Sequence, residues 1–320
     1  MMGSSQDWGR IENDVGVFTQ LIKQLGVKGV QVEGLWTLDN GIFDNLRPVH
    51  GLIFLFKYLQ YEEPTGRVVT DNRLNNIYFA KQLIRNACST QIIISLLLNC
   101  AHPDVDIGPE LTKLKEFSMP LDPTMRGLSL GNTSSIRTAH NSMAQQVMYG
   151  VNRKTASKSG SPYHFVGYIP IDGRLYELDG LRAGPIDHGP VRPGQDWLDV
   201  VTPIIKKRIN VYIEGEIRFN LMALVSNRKM VYERRLDQLL SDTFDGTNSD
   251  AVVTDIPNLR MLIEYENVKM ARYQQEMIRR RHDYLTFIVF ILKILAEQNL
   301  LVRLYEEAKV RVAQKGKKKI

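Results

Sequence analysis

The dipeptide Asp172-Gly173 stands between two runs of alternating character, HFVGYIP and RLYELDG. A two-residue type I′ turn needs positive φ at both positions, and its twist matches that of the strands it joins. The sequence therefore predicts a hairpin and its register: Ile171 faces Arg174, and further out Val166 faces Asp179 and His164 faces Leu181. Side chains alternate between faces along a strand, so His164 and Asp179 share a face as diagonal neighbours, about 7 Å or less between side-chain roots. That distance allows an imidazole–carboxylate hydrogen bond, through which Asp179 would fix the ring's tautomer and orientation.

The run ACSTQIIISLLL, residues 87 to 98, is apolar on nearly every side beyond Gln91 and too long for a typical strand. It predicts a buried helix with Asn86 as N-cap, and it places Cys88 at the helix tip. There a thiol meets unpaired backbone N–H groups and the positive end of the dipole, both of which favour thiolate. A small buried thiol is the commoner use of a lone intracellular cysteine, so Cys88 needs partners that converge on it. The chain order Cys88, His164, Asp179 is that of papain-like thiol proteases. Gln82 precedes the thiol by the interval at which those enzymes carry an oxyanion-hole glutamine, and its amide with the Cys88 N–H can stabilise a tetrahedral oxyanion. His50 and His140 lie where structural roles are the default.

Other segments fill out the fold. DVGVFTQLIKQL predicts an early helix capped by Asp14, while HGLIFLFKYL and EIRFNLMALVS predict buried strands. GVNRKTASKSGSP is polar and aperiodic, a surface loop. Residues 241 to 257 have no periodicity and predict a linker; beyond them the chain turns helical. The apolar stretch 285 to 304 is interrupted by Lys293, Glu297 and Arg303, so it predicts a helical hairpin with an exposed apolar face rather than a membrane span.

With 43% hydrophobic and 24% charged residues, the chain lies outside the disordered and fibrous classes. The opening MMGSSQDWGRIENDV has no apolar core and is not read as a secretory signal, so the protein is expected inside the cell. Cys88 and Cys100 would sit about 18 Å apart along one helix, too far for a disulfide. No HExxH or CxxC spacing occurs, and neither metal nor cofactor is expected. Of the net charge of +6, most resides in residues 303 to 320, with seven Lys or Arg against two Glu. A basic tail without interleaved aromatics on a near-neutral body does not point to nucleic acid.

The segments NNIYFAKQLIRNACSTQIIISLLLN, YHFVGYIPIDGRLYELDGLRAGPI and GEIRFNLMALVS resemble, in order and spacing, the ubiquitin C-terminal hydrolase family of thiol deubiquitinases, across about residues 5 to 228. The resemblance implies a papain-like α/β (α+β) fold, a central antiparallel sheet flanked by helices, with residues 147 to 162 as a loop crossing the active site. It implies Gln82 as oxyanion donor, Cys88 as nucleophile, His164 as general base and acid and Asp179 as orienting carboxylate. Trp36 and Ile217 become candidate ubiquitin contacts or, equally, core residues. Residues 229 to 257 then serve as helix end and linker, and residues 258 to 320 form an all-helical extension similar to that of the long, proteasome-associated branch of the family. That similarity implies docking on a ubiquitin receptor of the proteasome regulatory particle, a nuclear association with a chromatin-remodelling complex, and a cytoplasmic and nuclear location. The rival reading is a ubiquitin- or proteasome-binding scaffold with little activity of its own.

Overall fold

The computed structural model describes residues 8–39, 41–57, 66–144, 163–211, 219–244, 251–282 and 284–317. The loop expected over 147 to 162, and Ile217, lie outside them. The chain divides into two compact units, residues 1–145 with 159–277, and residues 146–158 with 278–320.

The first unit is built on an antiparallel sheet of seven strands in the order β1-β7-β2-β4-β5-β6-β3. The strands are β1 (Val30–Leu35), β2 (Val49–Lys57), β3 (Arg67–Val68), β4 (Tyr163–Ile171), β5 (Arg174–Leu178), β6 (Ile186–Pro190) and β7 (Asn220–Ser226). Asp172 and Gly173 both take positive φ, 48° and 70°, and the β4–β5 ladder runs from Ile171↔Arg174 to Gly167↔Leu178, the register the turn predicts. The central strands are buried on both faces, hence the unbroken apolar run of β2.

One face carries α1 (Val15–Gln24), α2 (Cys88–Asn99), α3 (Gly108–Ser118), α4 (Pro123–Asn132) and α5 (Ser134–Met143). Asp14 caps α1, its side chain accepting from Val17 N at 3.0 Å. Helix α2 is buried almost all round and lies against β4 so closely that a Cβ on Gly167 would sit 3.0 Å from Leu96 and 3.2 Å from Ile92. The other face is covered by α6 (Trp197–Val211), whose Leu198, Val201 and Ile205 pack on Leu52, Phe54, Phe56 and Val166.

Two expectations are corrected here. Asn86 does not cap α2: residues Arg85–Ala87 form a 3-10 turn, Ala87 holds the N-cap position without a side-chain bond, and Asn86 Nδ2 donates to Trp8 O at 2.9 Å instead. The expected linker is also too long, because α7 (Arg228–Phe244) is followed by α8 (Ala251–Arg281), which contains Pro257. Packing outweighs the helix-breaking composition there: Leu259, Glu266 and Met277 of α8 are buried, and Lys269 bridges Glu33 and Glu266 at 2.7 and 2.6 Å. Thus α8 up to Met277 belongs to the first unit.

In the second unit α9 (Leu285–Glu297) and α10 (Leu301–Lys317) meet at a bend of 111°. Phe287, Phe290, Val302 and Tyr305 are exposed on them. No single described helix is long and apolar enough to cross a membrane.

A buried polar cluster at the start of β2 ties the sheet to the loop after α2. His50 Nε2 lies 2.9 Å from Ser226 Oγ, which donates to Asp104 Oδ2 at 2.6 Å, and the His50 and His102 rings are 4.7 Å apart. Burial, and then the neighbouring His102, lower the His50 pKa from 6.5 to about 4, against the opposing charge of Asp104. The unfolded chain therefore takes up a proton below pH 6.5 that the folded chain refuses until about pH 4. Stability is complete above that window and declines through it on acidification, by about 3 kcal/mol in all at about 1.4 kcal/mol per unit. Chemical denaturation between neutral and mildly acid pH is expected to show this loss, and His50→Gln to flatten it.

Candidate active site

Cys88 opens α2 and is partly buried. Because Ala87 offers no capping side chain, the first N–H groups of the helix are left to the sulfur, and those of Cys88 and Ser89 act on it. Burial still dominates: it pushes the thiol up to about 11, against those two N–H groups and the charge of Arg10. At neutral pH the sulfur is therefore protonated in this conformation.

His164, the second residue of β4, is buried, and its Nε2 lies 2.6 Å from Asp179 Oδ1. Asp179 follows β5 and is buried as well; it also accepts from Leu181 N at 2.9 Å and Arg182 Nε at 3.3 Å. Burial alone would raise its pKa, but the hydrogen bond and charge of His164, the Leu181 N–H and Arg182 hold it below the usual carboxylate range. An ionised Asp179 fixes the Nε2–H tautomer of His164 and makes Nδ1 the ring's basic nitrogen.

Gln82 lies in an extended stretch pinned from two sides. Its backbone N–H donates to Gly180 O at 2.8 Å, and Gln91, one turn into α2, donates from Nε2 to Ala80 O at 2.6 Å. Gly180 is where these parts meet: a Cβ there would lie 2.8 Å from Gln82 Cβ and 2.9 Å from Gln91 Nε2. Only a residue without a side chain lets the segment after Asp179 approach both the extended Gln82 stretch and the first turns of the Cys88 helix. Among the described residues no hydrogen bond joins Cys88 to His164.

Residues unmarked in the sequence complete the surroundings. Phe56, opposite His164 across β2 and β4, presents its ring at 5.8 Å and 80° to the imidazole. Arg208 of α6 lies over the same ring at 4.3 Å and pairs with buried Glu177 at 2.7 Å. An aromatic in a buried strand and an arginine on a helix carry no sequence signal for this, because their meeting depends on the sheet's second face. Trp36 just beyond β1 is 96% exposed, so it is not a core residue.

An antiparallel sheet covered by helices, a cysteine at a helix tip and a histidine–aspartate pair on a neighbouring hairpin define a thiol hydrolase of papain-like architecture. Residues 8–210 match the model of ubiquitin carboxyl-terminal hydrolase family 1, and residues 256–301 match a second, C-terminal model of ubiquitin carboxyl-terminal hydrolases. The chain belongs to the ubiquitin carboxyl-terminal hydrolase family. It is 42% identical over 316 residues to ubiquitin carboxyl-terminal hydrolase ubh-4 of Caenorhabditis elegans, covering 99% of this chain and 96% of the relative. It is 38% identical over 345 residues to ubiquitin carboxyl-terminal hydrolase isozyme L5 of Dictyostelium discoideum, covering 98% of each. Among solved structures it is similar to Trichinella spiralis UCH37 bound to ubiquitin vinyl methyl ester, with a TM-score of 0.67 at 40% identity over 83% of this chain and 99% of the other.

Proposed function

We propose that this ubiquitin hydrolase works through Cys88, His164, Asp179 and Gln82. The observation that carries this reading is the meeting of the extended Gln82 stretch, the first turns of α2 and the Asp179–Gly180 segment at one point, with His164 bonded to Asp179. His164 Nδ1 takes the thiol proton as Cys88 approaches, and the thiolate attacks the carbonyl of the ubiquitin C-terminal glycine. The oxyanion takes N–H groups from the Gln82 side chain and the Cys88 backbone, in the manner of an oxyanion hole. The protonated imidazole gives its proton to the leaving amine, and water, activated by the same ring, then clears the thioester. Exposed Trp36 serves as a ubiquitin contact. Ile217 is the second candidate ubiquitin contact, on the family resemblance alone.

The extension supplies the partner. The match of residues 256–301 to the family's C-terminal model, and the exposed apolar side chains on α9 and α10, support docking on a ubiquitin receptor of the proteasome regulatory particle. A chromatin-remodelling complex is a second partner, and the cytoplasm and nucleus are the corresponding locations. The test is turnover of a ubiquitin C-terminal fluorogenic amide by the full chain, with adduct formation by ubiquitin vinyl methyl ester mapped by peptide mass spectrometry. Turnover and an adduct on Cys88 are expected. Absence of both, with the receptor present, would leave a ubiquitin-binding scaffold.

A further inference from the structure

The segment from Trp8 to Arg10 is anchored to residues more than seventy positions away, Asn86 just before α2 and His140 and Asn141 on α5. Trp8 O accepts from Asn86 Nδ2 at 2.9 Å, two residues before the thiol. Gly9 N donates to Asn141 Oδ1 at 2.8 Å, and Gly9 O lies 2.8 Å from His140 Nε2. The His140 ring, fully buried, lies 4.8 Å from the buried Trp8 ring, and its Nδ1 is 2.7 Å from Thr90 Oγ1 in the first turn of α2. A carbonyl can only accept, so Nε2 carries the ring's proton and Nδ1 accepts from the Thr90 hydroxyl. Gly9 is also steric: a Cβ there would fall 2.4 Å from Ala144 Cβ.

We infer that His140 is a positioning residue for the thiol reaction, a buried neutral imidazole that clips an N-terminal strap, Trp8–Arg10, onto the first turn of the Cys88 helix. The bridge crosses from strap carbonyl to helix hydroxyl within one ring, so neither end shifts without the other. The Thr90 hydroxyl is held by the ring rather than turned back on the carbonyls of its own helix. The strap has two opposed effects on the sulfur. It contributes to the burial that keeps the thiol protonated, and it carries the Arg10 charge, which favours thiolate. The net result is a sulfur shielded from water and fixed in direction until an imidazole arrives to take its proton. This inference rests on Cys88 being the nucleophile.

The experiment uses the full chain and the variants His140→Ala, Thr90→Val, their double variant, Arg10→Gln and Arg10→Lys. Two readouts are taken: kcat and KM on a ubiquitin C-terminal fluorogenic amide, and the pH midpoint of Cys88 alkylation by iodoacetamide, followed on the Cys88 peptide so that Cys100 does not contribute. His140→Ala and Thr90→Val are each expected to lower kcat about tenfold with KM changed by no more than about twofold. Burial is the largest cause of the raised thiol pKa, so loosening a strap that helps cover the sulfur should lower their alkylation midpoint by about half a unit, making the sulfur easier to alkylate while turnover slows. The double variant should be no worse than His140→Ala, since both remove one bridge. Arg10→Gln should move the midpoint the other way by a few tenths of a unit, and Arg10→Lys should leave it in place.

A kcat at the wild-type level, an unmoved midpoint, or additive losses in the double variant would overturn the inference. If His140→Ala does not fold, Thr90→Val and the Arg10 pair decide it by the same criteria. A wild-type chain without turnover sinks the hydrolase assignment of Cys88, whereas a wild-type chain that turns over and variants that match it sink the strap alone. The alkylation profile is read in either case.

Discussion

Cys88→Ala is expected to lower kcat by on the order of 10⁴-fold or more, with the folded chain and its affinity for ubiquitin preserved. The size of the effect follows from what surrounds the sulfur. Ser89 and Thr90 are buried beside it, but the Thr90 hydroxyl is committed to His140. A serine or threonine hydroxyl is also a far weaker acid than even a thiol pushed up to about 11. Cys88→Ser is therefore expected to be nearly as inactive as the alanine variant, although it keeps a nucleophilic atom at the helix tip. The fold should tolerate both changes, since the side chain is small and outside the ladder of the sheet. Single-turnover cleavage with enzyme in excess, beside ubiquitin binding by titration, separates chemistry from binding. Residual activity above about 1% of wild type in the alanine variant would remove Cys88 from the proposed mechanism.

How much of this was legible in the sequence depends on the range of the interaction. The β4–β5 hairpin was, because Asp172-Gly173 leaves one register, and that register brings His164 and Asp179 to one face, where they bond at 2.6 Å. The cap at Asp14 and the all-round burial of α2 were local matters too. Asn86 misleads for a local reason: it is a good capping residue, but its amide has a partner 78 residues upstream, in Trp8. Pro257 misled because its backbone cost is visible in sequence, while the burial of Leu259 and Met277 that outweighs it is not. Gly180 reads as a turn residue after an aspartate; that it is small for the sake of Gln82 and Gln91 follows only from the folded chain. Residues that position the site from behind, Phe56 with Arg208 and Glu177, and His140 with Thr90, carry ordinary core patterns. Their contacts span tens of residues, and no local periodicity encodes them.

Asp179→Asn isolates the orienting role of the carboxylate, because it changes charge and hydrogen-bonding capacity with almost no change in shape. Asp179 now accepts three bonds, from His164 Nε2, Leu181 N and Arg182 Nε. An amide cannot satisfy them all. With its oxygen toward His164, its NH₂ faces the Arg182 guanidinium, donor against donor. With the NH₂ toward His164, the ring must accept at Nε2 and carry its proton on Nδ1, the nitrogen needed as base for the Cys88 thiol. Both arrangements also lack the negative charge that stabilises the imidazolium formed when the thiol is deprotonated. The expected result is a fall in kcat of about 10²- to 10⁴-fold with KM changed by no more than about twofold. The lowered pKa of Asp179 means that its ionised form stabilises the fold above the ordinary carboxylate range and that this contribution is lost as pH falls through the lower, folded-state value. The asparagine variant should accordingly be less stable at neutral pH, and the difference should narrow on acidification. Arg182→Ala separates the two costs, since it removes the donor conflict without touching His164: in the Asp179→Asn background it should recover part of the lost stability and little of the lost kcat. An asparagine variant within about threefold of wild-type kcat would mean that His164 takes its orientation from something other than the Asp179 carboxylate.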